Sequence, residues 1–218
     1  MPEHPDFKNL YIIDHPLVQD RLSYIRRKDT SFADFRRVLR DISVLMAYEV
    51  TKDLEMTTEE IQTPVQNMAA PVLAKPEPVI IPILRAGLGL SDALTEVLTG
   101  AVHGHIGVFR DEKTHRPVEY MVKLPGDIST REVIVVDPML ATGHSIKHSL
   151  DILTREGVAQ NQIKLMILVA APEGVALVRE HYPDIAIYTA ALDSHLNEKA
   201  YIVPGLGDAG DRFCGTIG

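Results

Sequence analysis

The chain has 218 residues, 45% hydrophobic and 24% charged, so one globular domain is expected and a fibrous or wholly disordered chain is excluded. Its net charge of −8 argues against a general binder of nucleic acid or anionic membranes, and its longest apolar run, residues 165–171, is far shorter than the ~18 residues of a membrane span. A single cysteine, Cys214, and polar residues 1–30 without a secretory signal predict a cytoplasmic protein, by default an enzyme acting on a small molecule.

Residues 1–77 are predicted to form a helical arm followed by a β-hairpin. Apolar residues at helical spacing predict one long helix over residues 31–54, with Ser31 as its capping residue. A hairpin is predicted over residues 61–73, with its turn at residues 66–67 and prolines that confine it to a sheet edge. The arm packs either on the main sheet or on a second copy of the chain, and an ordinary N-terminal cap accounts for the same pattern.

From Pro78 onward, short β-branched runs alternate with amphipathic stretches, which is the pattern of βαβ units. This pattern predicts an α/β fold with a mostly parallel sheet flanked by helices. The predicted strands are Val79–Leu84, His105–Phe109, Val118–Lys123, Glu132–Val136, Ile163–Val169 and Ile185–Thr189. The predicted helices are Leu88–Leu98, Ser145–Arg155 and Glu173–His181. Residues 78–200 would form the core of the domain and residues 201–218 a C-terminal segment.

The segment from Asp137 to Ser145 has the features of a site for a phosphorylated sugar. Backbone N–H groups at the start of the following helix lack partners within the helix and favour an anion, helped by the hydroxyls of Thr142 and Ser145. Gly143 allows the backbone to approach a ligand closely. Asp137 would repel a phosphate but can accept hydrogen bonds from sugar hydroxyls. A strand-to-helix turn capped by Thr142 or Ser145 accounts for the spacing about equally well.

Residues 133–145 resemble the 5-phosphoribosyl-1-diphosphate (PRPP) binding motif of the type I phosphoribosyltransferases, in the form found in uracil phosphoribosyltransferases. The resemblance implies that fold, and it implies PRPP contacts from Asp137, Pro138, Met139, Leu140, Ala141, Thr142, Gly143, His144 and Ser145. His144 stands where the family usually has glycine. A backbone N–H is still available there, but a positive φ would strain a histidine. His144 and His148 are four residues apart without a third ligand, so no metal site is predicted.

A second strand-to-helix turn, residues 82–90, carries Arg85 ahead of two glycines, Gly87 and Gly89. Arginine offers a planar fork of donors to a phosphate. The segment resembles the pyrophosphate loop of the uracil enzymes, which implies that Arg85 binds pyrophosphate and that a strained or cis peptide bond precedes Ala86. An arginine in a surface ion pair beside a turn is the alternative.

The stretch 201–213 combines an apolar start with a glycine-rich turn. Such a loop can present backbone donors and acceptors to a flat heterocycle such as uracil. It closely resembles the uracil-binding loop of the family, which implies uracil contacts from Ile202, Gly207, Asp208 and Ala209. The resemblance also places Asp208 beside the ribose-diphosphate and its magnesium ion. A flexible C-terminal tail is the alternative.

The polar segment 110–117 lies between two predicted strands and has the length of a hairpin loop. It resembles the mobile hood of the family, which implies that Arg110 binds PRPP. A closing hood would exclude water from the reaction. For residues 113–116 a solvated hairpin tip is the preferred interpretation.

The resemblance spans nearly the whole chain and implies transfer of the 5-phosphoribosyl group from PRPP to N1 of uracil, giving UMP and pyrophosphate in pyrimidine salvage. The substitution at the anomeric carbon would have oxocarbenium character, with Arg85 and Asp208 as candidate catalytic residues and Mg²⁺ arriving with PRPP. The resemblance also favours a homodimer or larger homo-oligomer, and some relatives are activated by GTP. No nucleic-acid or membrane partner is expected.

Two alternatives to this function stay open. A nucleotide- and RNA-binding regulator on the same fold is the first, since fold alone does not determine function, although the acidic balance weighs against it. A transferase for a purine or another pyrimidine is the second. The small residues around Asp208 leave a small pocket and favour a pyrimidine.

Overall fold

A central sheet with helices on both faces organises the chain, in a computed structural model that describes residues 1–110 and 117–216. In chain order, the strands of these residues are β1 (Leu10–Ile12), β2 (Met56–Gln62), β3 (Asn67–Leu73), β4 (Val79–Leu84), β5 (Val102–His103), β6 (His105–Arg110), β7 (Pro117–Lys123), β8 (Val133–Leu140), β9 (Ile163–Ala170), β10 (Ala186–Leu192), β11 (His195–Leu196) and β12 (Ile202–Val203). The helices are α1 (Pro16–Arg26), α2 (Phe32–Val50), α3 (Leu88–Val97), α4 (His144–Arg155), α5 (Pro172–His181) and α6 (Ala209–Cys214).

The described strands form an eight-stranded sheet in the order β1-β10-β9-β8-β4-β6-β7, with β5 also pairing with β4. Its pairings are parallel except for that of β6 with β7. Strands that are covered on both faces read as continuous apolar runs, and every residue of β9 is buried. The predicted fold class, a mostly parallel α/β sheet flanked by helices, is confirmed.

Alternate residues of the central strands pack into two core layers. In β8, Ile134 and Val136 belong to the layer formed with α1, α2 and α3. Val133 and Val135 belong to the layer formed with α4 and α5. Because β4 and β8 are parallel neighbours, the turns that follow them lie at the same edge of the sheet, where α/β proteins commonly bind ligands.

The N-terminal arm packs on the main sheet through α1 and α2. Ser31 caps α2 as predicted, because its hydroxyl accepts a hydrogen bond from the Asp34 N–H at 3.1 Å. The helix ends at Val50 and is therefore shorter than the predicted helix over residues 31–54. The buried Lys164 of β9 donates to the Val50 carbonyl at 3.1 Å and so binds the end of the helix.

Helix α1 and strand β1 are absent from the sequence prediction. The residue before α1 is His15, which is not a usual capping residue, although its Nδ1 accepts a hydrogen bond from the Leu17 N–H at 3.2 Å. Strand β1 is only three residues long and is stabilised by its pairing with β10.

None of the helices in residues 1–110 and 117–216 is long and apolar enough to cross a membrane.

Strands β2 and β3 form a separate antiparallel hairpin in full register from Met56–Leu73 to Gln62–Asn67. The predicted hairpin over residues 61–73 was therefore too short, and its turn lies at residues 63–66. The hydroxyl of Thr63 fixes this turn by accepting the Gln66 N–H at 3.0 Å. The first strand was missed because its polar residues lack apolar alternation.

Strand β8 extends to Leu140, four residues beyond its predicted end at Val136. It continues because Met139 and Leu140 pair with Val169 and Ala170 of β9. The predicted loop after Asp137 is therefore reduced to residues 141–143, and Met139 and Leu140 are strand residues. The other elements predicted within residues 78–200 agree with the observed ones to within a few residues.

Candidate active site

The turn from β8 into α4 joins an acid, a glycine and the N-terminus of a helix. Gly143 has φ +81°, and a Cβ there would lie 3.0 Å from the Gly174 carbonyl oxygen, so glycine is required. His144 is the first residue of α4. The described non-glycine residues with positive φ are Asn9 and Ala200, so His144 is not strained.

A first cavity of about 320 Å³ lies between this turn and the C-terminal segment. One wall consists of β8 and turn residues, and the other of residues from the end of the chain. The lining residues are Asp137, Met139, Ala141, Thr142, Gly143, Ser145, Ile146, Lys199, Ala200, Tyr201, Gly207 and Asp208. The start of α4 therefore faces a space large enough for a phosphate and a sugar, and its N–H groups and dipole favour an anion there.

A second cavity of about 530 Å³ adjoins the first. It adds Arg85 and Ala86 after β4, Phe109 and Tyr120 of the β6–β7 pair, and residues 209–210. The two cavities share Asp137, Met139, Ser145 and Asp208. The turns after β4 and β8 and the C-terminal segment thus open onto one continuous site.

Two carboxylates face this shared space. The pKa of Asp137 is raised to about 7, chiefly by burial and in smaller part by the charge of Asp208. The Met139 N–H, which donates to the carboxylate at 3.2 Å, opposes this rise. Asp208 caps α6 by accepting the Asp211 N–H at 2.9 Å. Such a pair favours a cation or hydroxyl donors between its members, and carboxylate oxygens are ligands that Mg²⁺ prefers.

Arg85 is exposed beside the second cavity. Within residues 1–110 and 117–216 no ion pair engages its guanidinium, so the surface ion pair considered from the sequence is absent there. The peptide bond between Leu84 and Arg85 is cis, one bond earlier than the resemblance implies. A Cβ on Gly87 would lie 2.5 Å from the Val136 carbonyl oxygen, so this glycine lets the turn pack directly on β8.

The C-terminal segment forms β12 and α6, and residues 201–216 are therefore not a tail without secondary structure. Gly205 has φ +60°, and a Cβ there would lie 2.1 Å from the Ile202 carbonyl oxygen. The turn brings Gly207 and Asp208 to the first cavity and Ala209 to the second. Ile202 itself is buried and lines neither cavity.

The structure does not bring every predicted residue to the site. The Leu140 side chain is buried in the core layer of α4 and α5, and His144 points to solvent outside both cavities. His148, which the sequence analysis considered with His144 as a metal-binding pair, has its Nε2 3.7 Å from a carboxylate oxygen of Glu119. Among the described residues, no group of three or more His, Cys, Asp or Glu could hold a metal ion. The side chain of Arg110 and residues 111–116 lie outside the described residues.

Sequence reasoning missed several side chains at the site, four of which are aromatic or charged. Lys199 and Tyr201 line the first cavity, and Phe109 and Tyr120 line the second, their ring centroids 6.1 Å apart. For Phe109 and Tyr120, the one signal in the sequence was an aromatic residue in each predicted strand that flanks the hood. The sequence gives no signal for Lys199, because a lysine in a polar stretch is typical of a solvated surface.

Comparisons with known proteins identify the family of the chain. The family model for uracil phosphoribosyltransferase matches residues 12–216. Uracil phosphoribosyltransferases of Rhodospirillum centenum and Paraburkholderia phymatum are 54% and 53% identical to the chain, and each match covers 99% of this chain and at least 99% of the relative.

Solved structures show the same architecture. The AQ2163 protein from Aquifex aeolicus is 33% identical, with a TM-score of 0.88 over 94% of this chain and 97% of that one. An adenine phosphoribosyl transferase from Trypanosoma brucei, 12% identical, shares the fold with a TM-score of 0.58 over 95% of this chain and 92% of that one. The residues at the site, the family match and the full-length relatives lead to one conclusion: the chain belongs to the uracil phosphoribosyltransferase family.

Proposed function

We propose that the protein transfers the 5-phosphoribosyl group from PRPP to N1 of uracil, giving UMP and pyrophosphate in pyrimidine salvage. The observation that carries this proposal is the continuous site, in which the turn from β8 into α4, Asp137 and residues 207–209 line adjoining cavities. The names of the full-length relatives support the same activity. In this proposal residues 1–218 form a single catalytic domain.

The PRPP molecule would occupy both cavities. The segment from Met139 to Ser145, with its turn at residues 141–143, would hold the 5-phosphate at the start of α4. Asp137 would accept hydrogen bonds from ribose hydroxyls. Arg85 would bind the diphosphate in the second cavity. The assignment of Arg110 to the same group rests on the resemblance of its segment.

Uracil would be recognised by main chain rather than by charged side chains. Uracil has two carbonyls and two N–H groups, which the backbone from Gly207, an exposed residue, to Ala209 would match. Ile202 lines neither cavity, so its contribution would come through its backbone. The small residues here favour a pyrimidine over a purine.

The substitution at the anomeric carbon needs alignment and stabilisation of the leaving group more than a strong nucleophile. Arg85 would neutralise charge that develops on the diphosphate. Asp208 would orient the substrates at the junction of the cavities and is a candidate acceptor for the N1 proton. Mg²⁺ bound with PRPP would add positive charge to the diphosphate, held by Asp137 and Asp208 together with substrate oxygens.

A panel of bases tests the proposal. The purified protein with PRPP and Mg²⁺ is offered uracil, cytosine, hypoxanthine, guanine, adenine and orotate, and pyrophosphate release is recorded. Release with uracil alone is expected, and release with a purine instead would favour the competing transferase.

Repeating the uracil assay with GTP tests whether GTP activates the enzyme. A gel-shift titration with RNA against salt tests the alternative function of a nucleotide- and RNA-binding regulator, which requires RNA binding that the proposed enzyme does not need.

We further propose that the protein forms a homodimer or larger homo-oligomer through the β2–β3 hairpin. An isolated two-stranded hairpin is marginally stable in water, yet this hairpin exposes Ile61, Met68 and, at its turn, Val65, whose exposure is 91%. Ile61 and Met68 are a cross-strand pair on the hairpin face that also carries Ala70, which is buried. A second chain would cover this face.

Replacing both Ile61 and Met68 with aspartate is therefore expected to convert the oligomer into a species with the mass of one chain, measured by light scattering. The matched control replaces the adjacent cross-strand pair, Gln62 and Asn67, with aspartate on the opposite face. The control should keep the assembly of the wild type. A wild-type protein with the mass of one chain, or equal dissociation of both variants, would contradict the role of this face.

A further inference from the structure

Two charged side chains from distant parts of the chain hold the backbone N–H and carbonyl of Gly205. Asp193, which follows β10, accepts the Gly205 N–H at 2.8 Å. Arg26, the last residue of α1, donates to the Gly205 carbonyl oxygen at 2.7 Å. The two side chains also bind each other through two parallel hydrogen bonds of 2.8 and 2.7 Å. Both polar groups of one glycine are thus bound by a single ion pair.

This pair is shielded from water. The side chain of Asp193 is 6% exposed and that of Arg26 is 21% exposed. A charge-assisted pair in which two donors face two acceptors is among the strongest and most directional hydrogen-bonding arrangements in proteins. Removing one member would leave the other buried without its partner.

The turn that this pair holds has little rigidity of its own. Gly205 and Gly207 both have positive φ, and glycine loses more conformational freedom on ordering than any other residue. Arg212 donates to the next carbonyl, that of Leu206, at 2.8 Å. The carbonyls of two successive residues are therefore bound by arginines, and the turn then leads Gly207 to the first cavity.

We propose that Arg26 and Asp193 are positioning residues for uracil: they order the Gly205 turn before the base arrives, although neither lines the cavities. Main-chain recognition of a base requires donors and acceptors that are already in place, because ordering a loop on binding costs affinity. This inference rests on the proposed function. It predicts that the pair affects uracil more than PRPP, because the turn from β8 into α4, which would hold the 5-phosphate, makes none of these contacts.

The test is the KM for each substrate in Arg26→Lys, which keeps the charge but loses the two-pronged geometry. The KM for uracil is expected to rise about tenfold or more, while the KM for PRPP changes by less than about twofold. The preference for uracil over cytosine should fall. Asp193→Asn should have the same effect. The rise in the KM for uracil in the double variant should be less than the product of the two single rises, because both side chains bind the backbone of Gly205.

Arg179→Lys is the matched control. Arg179 is a partly buried arginine of α5 that also donates to backbone carbonyls, among them that of Asn9 at 2.8 Å. Helix α5 packs in the core layer on the face of the sheet opposite α1. The Arg179→Lys variant should lower stability without changing either KM. An equal rise of both KM values in Arg26→Lys, or no change in either, would overturn the inference. If Arg26→Lys does not fold, the Asp193→Asn variant decides by the same criterion. A wild-type protein that releases pyrophosphate with none of the offered bases would overturn the proposed function instead.

Discussion

Replacing Arg85 with alanine is expected to lower turnover by ~10²–10³, the loss seen when one preorganised donor to a developing negative charge is removed. Arg85 is exposed beside the second cavity, and no ion pair within the described residues competes for its guanidinium. The fork of donors is therefore free to bind a diphosphate. Steady-state kinetics with saturating uracil and PRPP measures the effect.

Arg85→Lys separates charge from geometry, because lysine keeps the positive charge but not the planar fork. It should retain more activity than the alanine variant and less than the wild type. Arg40→Ala removes another exposed arginine, one that pairs with Glu96, and should leave turnover unchanged because neither residue lines either cavity. Unchanged turnover in Arg85→Ala would remove this residue from the mechanism.

Replacing Asp137 with asparagine is expected to weaken PRPP binding and to stabilise the fold above neutral pH. The KM for PRPP should rise about tenfold or more, because a carboxylate that accepts from ribose hydroxyls is lost. Burial raises the pKa of this carboxyl from 3.8 to about 7. The folded state therefore binds more protons than the unfolded state between these values, and wild-type stability should fall as pH rises from 3.8 to about 7 and then level off.

Asparagine cannot ionise, so the variant should lose this pH dependence. Its free energy of unfolding at pH 8 should exceed that of the wild type by up to about 4 kcal/mol, at about 1.4 kcal/mol per pKa unit. Urea denaturation at pH 5 and pH 8 measures both effects. Asp127→Asn is a control in which the expected change in stability at pH 8 has the opposite sign, because the hydrogen bond from Arg131 lowers the pKa of the exposed Asp127 carboxyl. It should lose stability at pH 8 and keep its KM for PRPP.

An unaltered KM for PRPP in Asp137→Asn would place the ribose away from this carboxylate. A stability difference that is the same at both pH values would contradict the raised pKa. The two readouts are independent, so binding and burial are tested separately.

The strand-to-helix turns at Arg85 and Asp137 could be predicted from the sequence because their chemistry lies in adjacent residues. A strand, an acid and a glycine before a helix are local signals, and they already indicate an anion-binding turn. Element boundaries were less predictable. Strand β8 continues to Leu140 only because β9 supplies partners for its last residues, and pairing of this kind is not visible in one strand.

By itself, the sequence determined the α/β fold class, the two turns and the glycine-rich C-terminal segment, since each depends on periodicity or on neighbouring residues. Only the tertiary structure decided that these three segments open onto one continuous site. It also decided that Arg26 and Asp193, 167 positions apart, hold the backbone of the same glycine, Gly205. Isolated charged residues read as solvated surface in a sequence, and their burial becomes visible only when the folded chain brings their partners to them.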